Sequence, residues 1–194
     1  MIRDQSLAVS GLLSPKLGGP PVKPYEVTES FKPMGRDKGE GLYRRSLYTF
    51  WKRTGPAPVM MALDASKRDV CRVKRERTST PLQALVMLND PQINEASRAF
   101  GERIYQKNKG QIRLIIIEMF TNVTSRSPSE KEINLMEGLY QEQRDGFMKD
   151  PESAKKYLGV GDSPHDKTIP AENAAALSVL GSALFNFWES VAKY

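Results

Sequence analysis

From Thr80 onward, proline keeps standing at the head of an apolar-periodic run, and this punctuation constrains the fold of the 194-residue chain more than any other feature. The positions are Thr80-Pro81, Asp90-Pro91, Ser127-Pro128, Asp150-Pro151 and Pro170. Proline lacks an amide hydrogen and fixes φ, so a helix accepts it in the first turn and breaks at it later. The second half is thereby cut into helices with defined starts. Thr80-Pro81-Leu82-Gln83 offers a capping Thr with Gln as the reciprocal cap, and Ser127-Pro128-Ser129-Glu130 reads as a second capping box. Asp90 starts a helix to about Asn108, with Ile93, Ala96, Phe100 and Ile104 as its apolar stripe. Residues 111–123 form the next, with Ile112, Ile115, Ile116, Met119 and Phe120 inward. The helix from the Ser127 box runs to about Met148 and carries Ile133, Met136, Tyr140 and Phe147 on one face. A short helix follows Asp150 and ends at Leu158. The last runs from Ala171 to about Ala192, with Leu177, Leu180, Leu184 and Trp188 as its core stripe. The expected fold class is mainly α, with an antiparallel helical bundle in the C-terminal half.

The N-terminal half is irregular, Pro/Gly-rich and partly extended. Residues 2–13 spell a short helix through Ile2, Leu7, Val9, Leu12 and Leu13. No capping residue precedes it, which reads as a fragment of a longer protein. Residues 14–41 carry five prolines and five glycines and form a long loop, which Phe31 and Met34 can pin to the body. Residues 42–54, with Tyr43, Tyr48, Phe50 and Trp51, lean to an extended segment between Gly41 and Gly55-Pro56-Ala57-Pro58. Leu47, Phe50 and Trp51 also fit helical spacing. Residues 59–63 read as a short buried run, and residues 70–77 alternate as a strand or extended arm. The whole reads as one domain, with a loop-rich basic part over 1–79 and a helical bundle over 80–194.

The net charge of +6 is unevenly spread. Residues 1–80 hold 16 basic and 8 acidic groups, the rest 13 and 15. That bias favours an anionic partner without choosing among nucleic acid, acidic glycan and acidic protein. Nucleic acid is disfavoured because no helix-turn-helix, finger or RNA-binding signature is present. Cys71 and His165 are the only residues of their types. They exclude an internal disulfide, a four-ligand structural zinc site and covalent haem attachment, so neither metal nor cofactor is expected in this chain. His165 sits in a proline-containing loop and reads as a surface residue. No phosphate-binding Gly loop or calcium loop appears. The longest apolar stretch, 174–188, falls short of the ~20 residues a membrane span needs, and no targeting segment is read at the N-terminus.

Residues 42–77 hold ten basic groups against Asp64, Asp69 and Glu76. Arginine beside Tyr and Trp suits planar anions, through bidentate hydrogen bonds and stacking. The segment leads into the Thr80 helix, whose first amides and dipole favour an anion. The candidate anion ligands are therefore Arg44, Arg45, Arg53, Arg75, Arg77 and Thr80, with Asp64 as an acid or pairing partner. The structural alternative stays open: Arg75 and Arg77 pair with Asp64, Asp69 or Asp90, and Tyr43, Phe50 and Trp51 are core.

Several blocks point to a family. They are Ile2-Arg3-Asp4-Gln5-Ser6-Leu7-Ala8-Val9-Ser10-Gly11-Leu12-Leu13 with Gly18-Gly19-Pro20 and Val22-Lys23-Pro24-Tyr25; Leu42-Tyr43-Arg44-Arg45-Ser46-Leu47-Tyr48-Thr49-Phe50-Trp51-Lys52-Arg53-Thr54; Arg77-Thr78-Ser79-Thr80-Pro81-Leu82-Gln83-Ala84-Leu85 with Leu88-Asn89-Asp90-Pro91; and Val160-Gly161-Asp162-Ser163-Pro164. Together they resemble the planctomycete-type domain of unknown function found at the C-terminal end of large proteins that contain a cytochrome c domain. The chain departs from that pattern at Ser66, where Pro is common, and at Ser79, where Asn is common. The resemblance implies an exported, periplasmic or extracellular multidomain protein with a haem-binding module upstream. It implies no reaction and carries over no catalytic residues. The expected function is a non-catalytic module that docks on upstream domains of the same polypeptide or holds an anionic polysaccharide. The alternative is part of the active site of a redox or polysaccharide-degrading enzyme, with Asp64 and Arg75 or Arg77 at the site. A convergent carboxylate pair in a cleft would favour the alternative; an exposed basic-aromatic ridge would favour the module.

Overall fold

Small side chains on every face let a helix take neighbours on all sides, and residues 171–185 have that composition. The computed structural model describes residues 2–27, 33–52, 55–66, 71, 73–74 and 78–191. In it α8, Ala171–Phe185, is the central helix, with ten buried residues that include Ala174, Ala175, Ala176, Ser178, Gly181 and Ser182. Its broadest contacts are with α4, Pro91–Lys107, and α6, Glu130–Lys149. Around these lie α1, Ile2–Ser10; α2, Pro58–Ala62; α3, Pro81–Asn89; α5, Ile112–Thr124; α7, Pro151–Leu158; and α9, Trp188–Val191. The described chain is mainly α, and its helices pack against one another.

Helix α4 meets α8 at close range because glycine stands at the crossing. A Cβ on Gly101 would lie 2.9 Å from Leu177 Cβ, and one on Gly181 would lie 3.0 Å from the Ser97 carbonyl oxygen. The predicted α4 stripe of Ile93, Ala96, Phe100 and Ile104 is fully buried, and Phe100 stacks on Phe185 with ring centres 5.7 Å apart. Leu7 of α1, Ile116 of α5, Tyr140 of α6 and Leu180 of α8 belong to the same core. A smaller cluster of Ala154, Leu158, Ile169, Ala174 and Ala175 seats α7 against the start of α8.

Several expectations are corrected. The capping box of α6 is Ser129 with Glu132, two residues beyond the Ser127 reading. Both pairs have the S-x-x-E spacing. Arg126 selects the second, since it grips the Glu132 carboxylate at 2.6 and 3.0 Å. The last helix stops at Phe185 and restarts as α9, and Trp188 is exposed. There the Ser190 hydroxyl donates to the carbonyls of Phe185 and Phe187, a local alternative to the helical ladder. Residues 59–63 are not a buried run; Pro58–Ala62 is the short helix α2, with no buried residue.

Of the segment 42–54, described as far as Lys52, the part up to Tyr48 is not a continuous extended run. It forms two 3-10 turns, Gly39–Tyr43 and Ser46–Tyr48, before a single parallel bridge between Val22 and Thr49. The cause lies in α1. The buried Arg3 guanidinium donates to the carbonyls of Leu42 and Arg44 at 2.7 and 2.9 Å, and to Gln92 Oε1 at 2.6 Å. Asp4 accepts from Ser46 N and Oγ at 2.8 and 2.6 Å. These side chains satisfy backbone groups that a strand would have offered to a partner. Of residues 70–77 only Cys71, Val73 and Lys74 are among the described residues, and all three are exposed. Phe31 lies outside them.

Candidate binding groove

Arg44 is buried and turned inward. Its Nη2 donates to the carbonyls of Lys16 at 3.2 Å and Gly18 at 2.5 Å, its Nη1 to Pro20 at 3.5 Å, and the guanidinium lies 4.2 Å from the Tyr48 ring centre. Its two Nη atoms are committed to the protein's own backbone, and its Nε is buried with no hydrogen-bond partner among the described residues. Thr80 is also structural: its Oγ1 accepts from Gln83 N and Gln83 Oε1 accepts from Thr80 N, both at 3.2 Å.

The place read as an anion site at the head of α3 is occupied by the chain's own Asp64 carboxylate. That carboxylate accepts from Thr78 N at 2.7 Å, Thr78 Oγ1 at 2.9 Å and Gln83 Nε2 at 3.0 Å. Asp64 holds a left-handed backbone, φ 56°, to reach it. It faces hydrogen-bond donors, and no second carboxylate is paired with it among the described residues. Arg53, Arg75 and Arg77 lie outside the described residues. Arg45 is exposed. The structure thus does not bring the predicted anion ligands together in one place among the described residues.

An open groove of about 410 Å³ lies where the Pro/Gly loop meets the aromatic segment. Gly19 and Pro21 form one side and residues 47–51 the other. Leu47 is 73% exposed and Phe50 40%. Trp51 is half-buried beside them. Among the described residues the lining holds aromatic and aliphatic surface, Tyr48 and Thr49, and no carboxylate. The loop side is fixed by the Arg44 bonds, by Gly18 N donating to the Tyr48 phenol at 2.8 Å, and by the two bonds of the Val22–Thr49 bridge at 2.8 and 2.7 Å.

Sequence reasoning missed a buried polar junction on α4. The Glu95 carboxylate accepts from Tyr43 Oη at 2.7 Å, Asp162 N at 2.9 Å and Ser163 N. Burial and this carboxylate together hold the Tyr43 phenol well above its usual range. Arg98 donates to the Ser163 carbonyl at 2.6 Å, and Arg36 pairs with Asp162 at 2.6 Å. The junction ties the N-terminal segment and the α7–α8 connection to one helix. Its one sequence signal is Gly161, whose φ is 97° and whose Cβ would lie 2.6 Å from Glu95 Cδ. His165, half-buried, lies near the buried Glu102 and the half-buried Asp166.

No group of metal-ligating side chains occurs among the described residues, and no described helix is long and apolar enough to cross a membrane. The family model described as PSD1, protein of unknown function (DUF1553), matches residues 1–140. No curated protein and no solved structure matches the chain.

Proposed function

The chain belongs to the PSD1 (DUF1553) family of proteins of unknown function, and from that premise we propose that it is a non-catalytic module that binds an acidic polysaccharide in the groove between the Pro/Gly loop and residues 47–51. The observation that carries the reading is the lining: exposed Leu47 and Phe50 beside Trp51, facing a loop wall fixed in advance, with no carboxylate among the described lining residues to perform acid–base work. Aromatic faces take the apolar side of a sugar ring and are already ordered, so little entropy is lost on binding. The charge of the N-terminal residues supplies complementarity to a polyanion, and the exposed Arg45 lies two residues before the groove segment. In this reading the module sits in a larger exported, haem-containing polypeptide, with upstream domains as its covalent neighbours, and contributes no cofactor of its own.

Retention on immobilised polygalacturonate and dextran sulfate, with neutral dextran as reference, tests this. Wild type is expected to be retained on the acidic polymers, and less so as salt rises. Phe50→Ala should lower affinity roughly tenfold, the scale of losing one aromatic anchor. Arg45→Ala should weaken binding and flatten the salt dependence. Equal retention on neutral dextran, or an unchanged Phe50→Ala, would refute the proposal.

A further inference from the structure

We infer, resting on the groove reading above, that Arg44 is a positioning residue that builds the groove's loop wall and never touches the ligand. The carbonyls of residues 16, 18 and 20 turn in to one guanidinium, while Gly19 and Pro21 are left lining the groove. Gly18 and Gly19 make this possible with φ of 72° and 87°, a left-handed pair that a side chain would strain. The planar fork reaches all three carbonyls and stacks on Tyr48 as well. A lysine ammonium also has three donors, but as a compact point charge it lacks the planar fork that bonds the carbonyls and stacks on the ring in one geometry. Tyr48 closes the device, since its ring lines the groove while its phenol holds the Gly18 amide. Without the clamp, a glycine- and proline-rich loop has many conformations, and only a fraction would present the wall. A ligand then binds with an apparent affinity reduced by that fraction.

The inference separates from direct ligand contact by kinetics. Arg44→Lys and Tyr48→Phe are compared with Phe50→Ala in two assays. One is amide hydrogen exchange of the ligand-free protein; the other is stopped-flow binding of a short oligogalacturonate, followed by the fluorescence of Trp51. Tyr48→Phe keeps the ring and loses only the bond to Gly18. It should speed exchange across residues 17–22 and slow association by ~3–10-fold, with dissociation unchanged, because the competent population falls. Arg44→Lys should do the same to a greater degree. Phe50→Ala should instead raise the dissociation rate and leave exchange in the loop unchanged. Protection in α4 and α8 reports whether each variant is folded; if Arg44→Lys loses it, Tyr48→Phe decides. Unchanged exchange in the loop overturns the inference. So does faster exchange with unaltered association, or an Arg44→Lys defect confined to dissociation, which would make Arg44 a contact. If wild type binds no acidic glycan, the proposed function fails, while accelerated loop exchange in both variants still supports the clamp.

Discussion

Asp90 carries two duties that pull its titration in opposite directions. Its carboxylate caps α4, accepting from Gln92 N and Ile93 N at 3.0 Å, and those bonds favour the ionised form. Burial disfavours that form and dominates, so the pKa sits above the ordinary 3.8 despite the amides and nearby Arg3. Glu102 is raised in the same way, by burial first, with Arg98 opposing. For both groups the folded state binds the proton more tightly than the unfolded chain. Their contribution to stability is therefore greatest in mild acid. It declines as pH climbs from the ordinary carboxylate range through the raised values. Glu132 runs the other way, held down to about 2 by Arg126 and Ser129, but it is still in reach of solvent and its effect is small. Asp90→Asn keeps a capping oxygen and removes the charge. It should match wild type in acid, exceed it at neutral pH and flatten the fall in stability above the ordinary carboxylate range. Asp90→Ala should cost about 0.5–2 kcal/mol by thermal denaturation. A comparable loss in the Asn variant would show that the charge, not the cap, holds the helix.

At the scale of elements, glycine has opposite value in two helices. Gly138 of α6 is exposed, with nothing within 4 Å of where a methyl group would stand, so Gly138→Ala should gain about 0.8–1 kcal/mol from helix propensity alone. Gly101 of α4 has the same propensity to gain but faces Leu177 at 2.9 Å, so Gly101→Ala should lose about 1–3 kcal/mol to overpacking. Chemical denaturation of the pair checks both signs, and a stabilised Gly101→Ala would mean that α8 can shift. Helices α3 to α8 were legible in the sequence because their signals are local: a cap, a proline, a stripe. The corrected segments share a cause that is not local. The turns around residue 42 depend on Arg3 and Asp4 some forty residues away, and the register of the α6 box depends on Arg126. The site was half legible for the same reason. The charge of Arg44 could be read, but the three carbonyls that its Nη atoms meet could not, nor could the bonds from Thr78 and Gln83 to Asp64 beside the head of α3. The aromatic run and the Pro/Gly loop were both visible in the sequence, though not the bridge between Val22 and Thr49 that joins them.

Over the whole molecule, the matched family segment and the folded core have different ends. The match stops at residue 140, inside α6, whereas the helix on which α4 and α6 both pack is α8. A chain cut after residue 140 should therefore lack a cooperative thermal transition. Its amides in α4 should exchange orders of magnitude faster than in the full chain, since the largest buried face would be open to water. Native-like protection in the truncated chain would show that the family segment folds by itself. The central place of α8 also has a consequence in time. The ribosome delivers every helix from α1 to α7 before the helix that covers them exists. At ~5–20 residues per second, the apolar stripe of Phe100 and Ile104 waits several seconds for its cover. The nascent protein thus carries this apolar stripe uncovered until nearly the last of the described residues is made, an exposure set by the pace of synthesis rather than by the stability of the finished bundle.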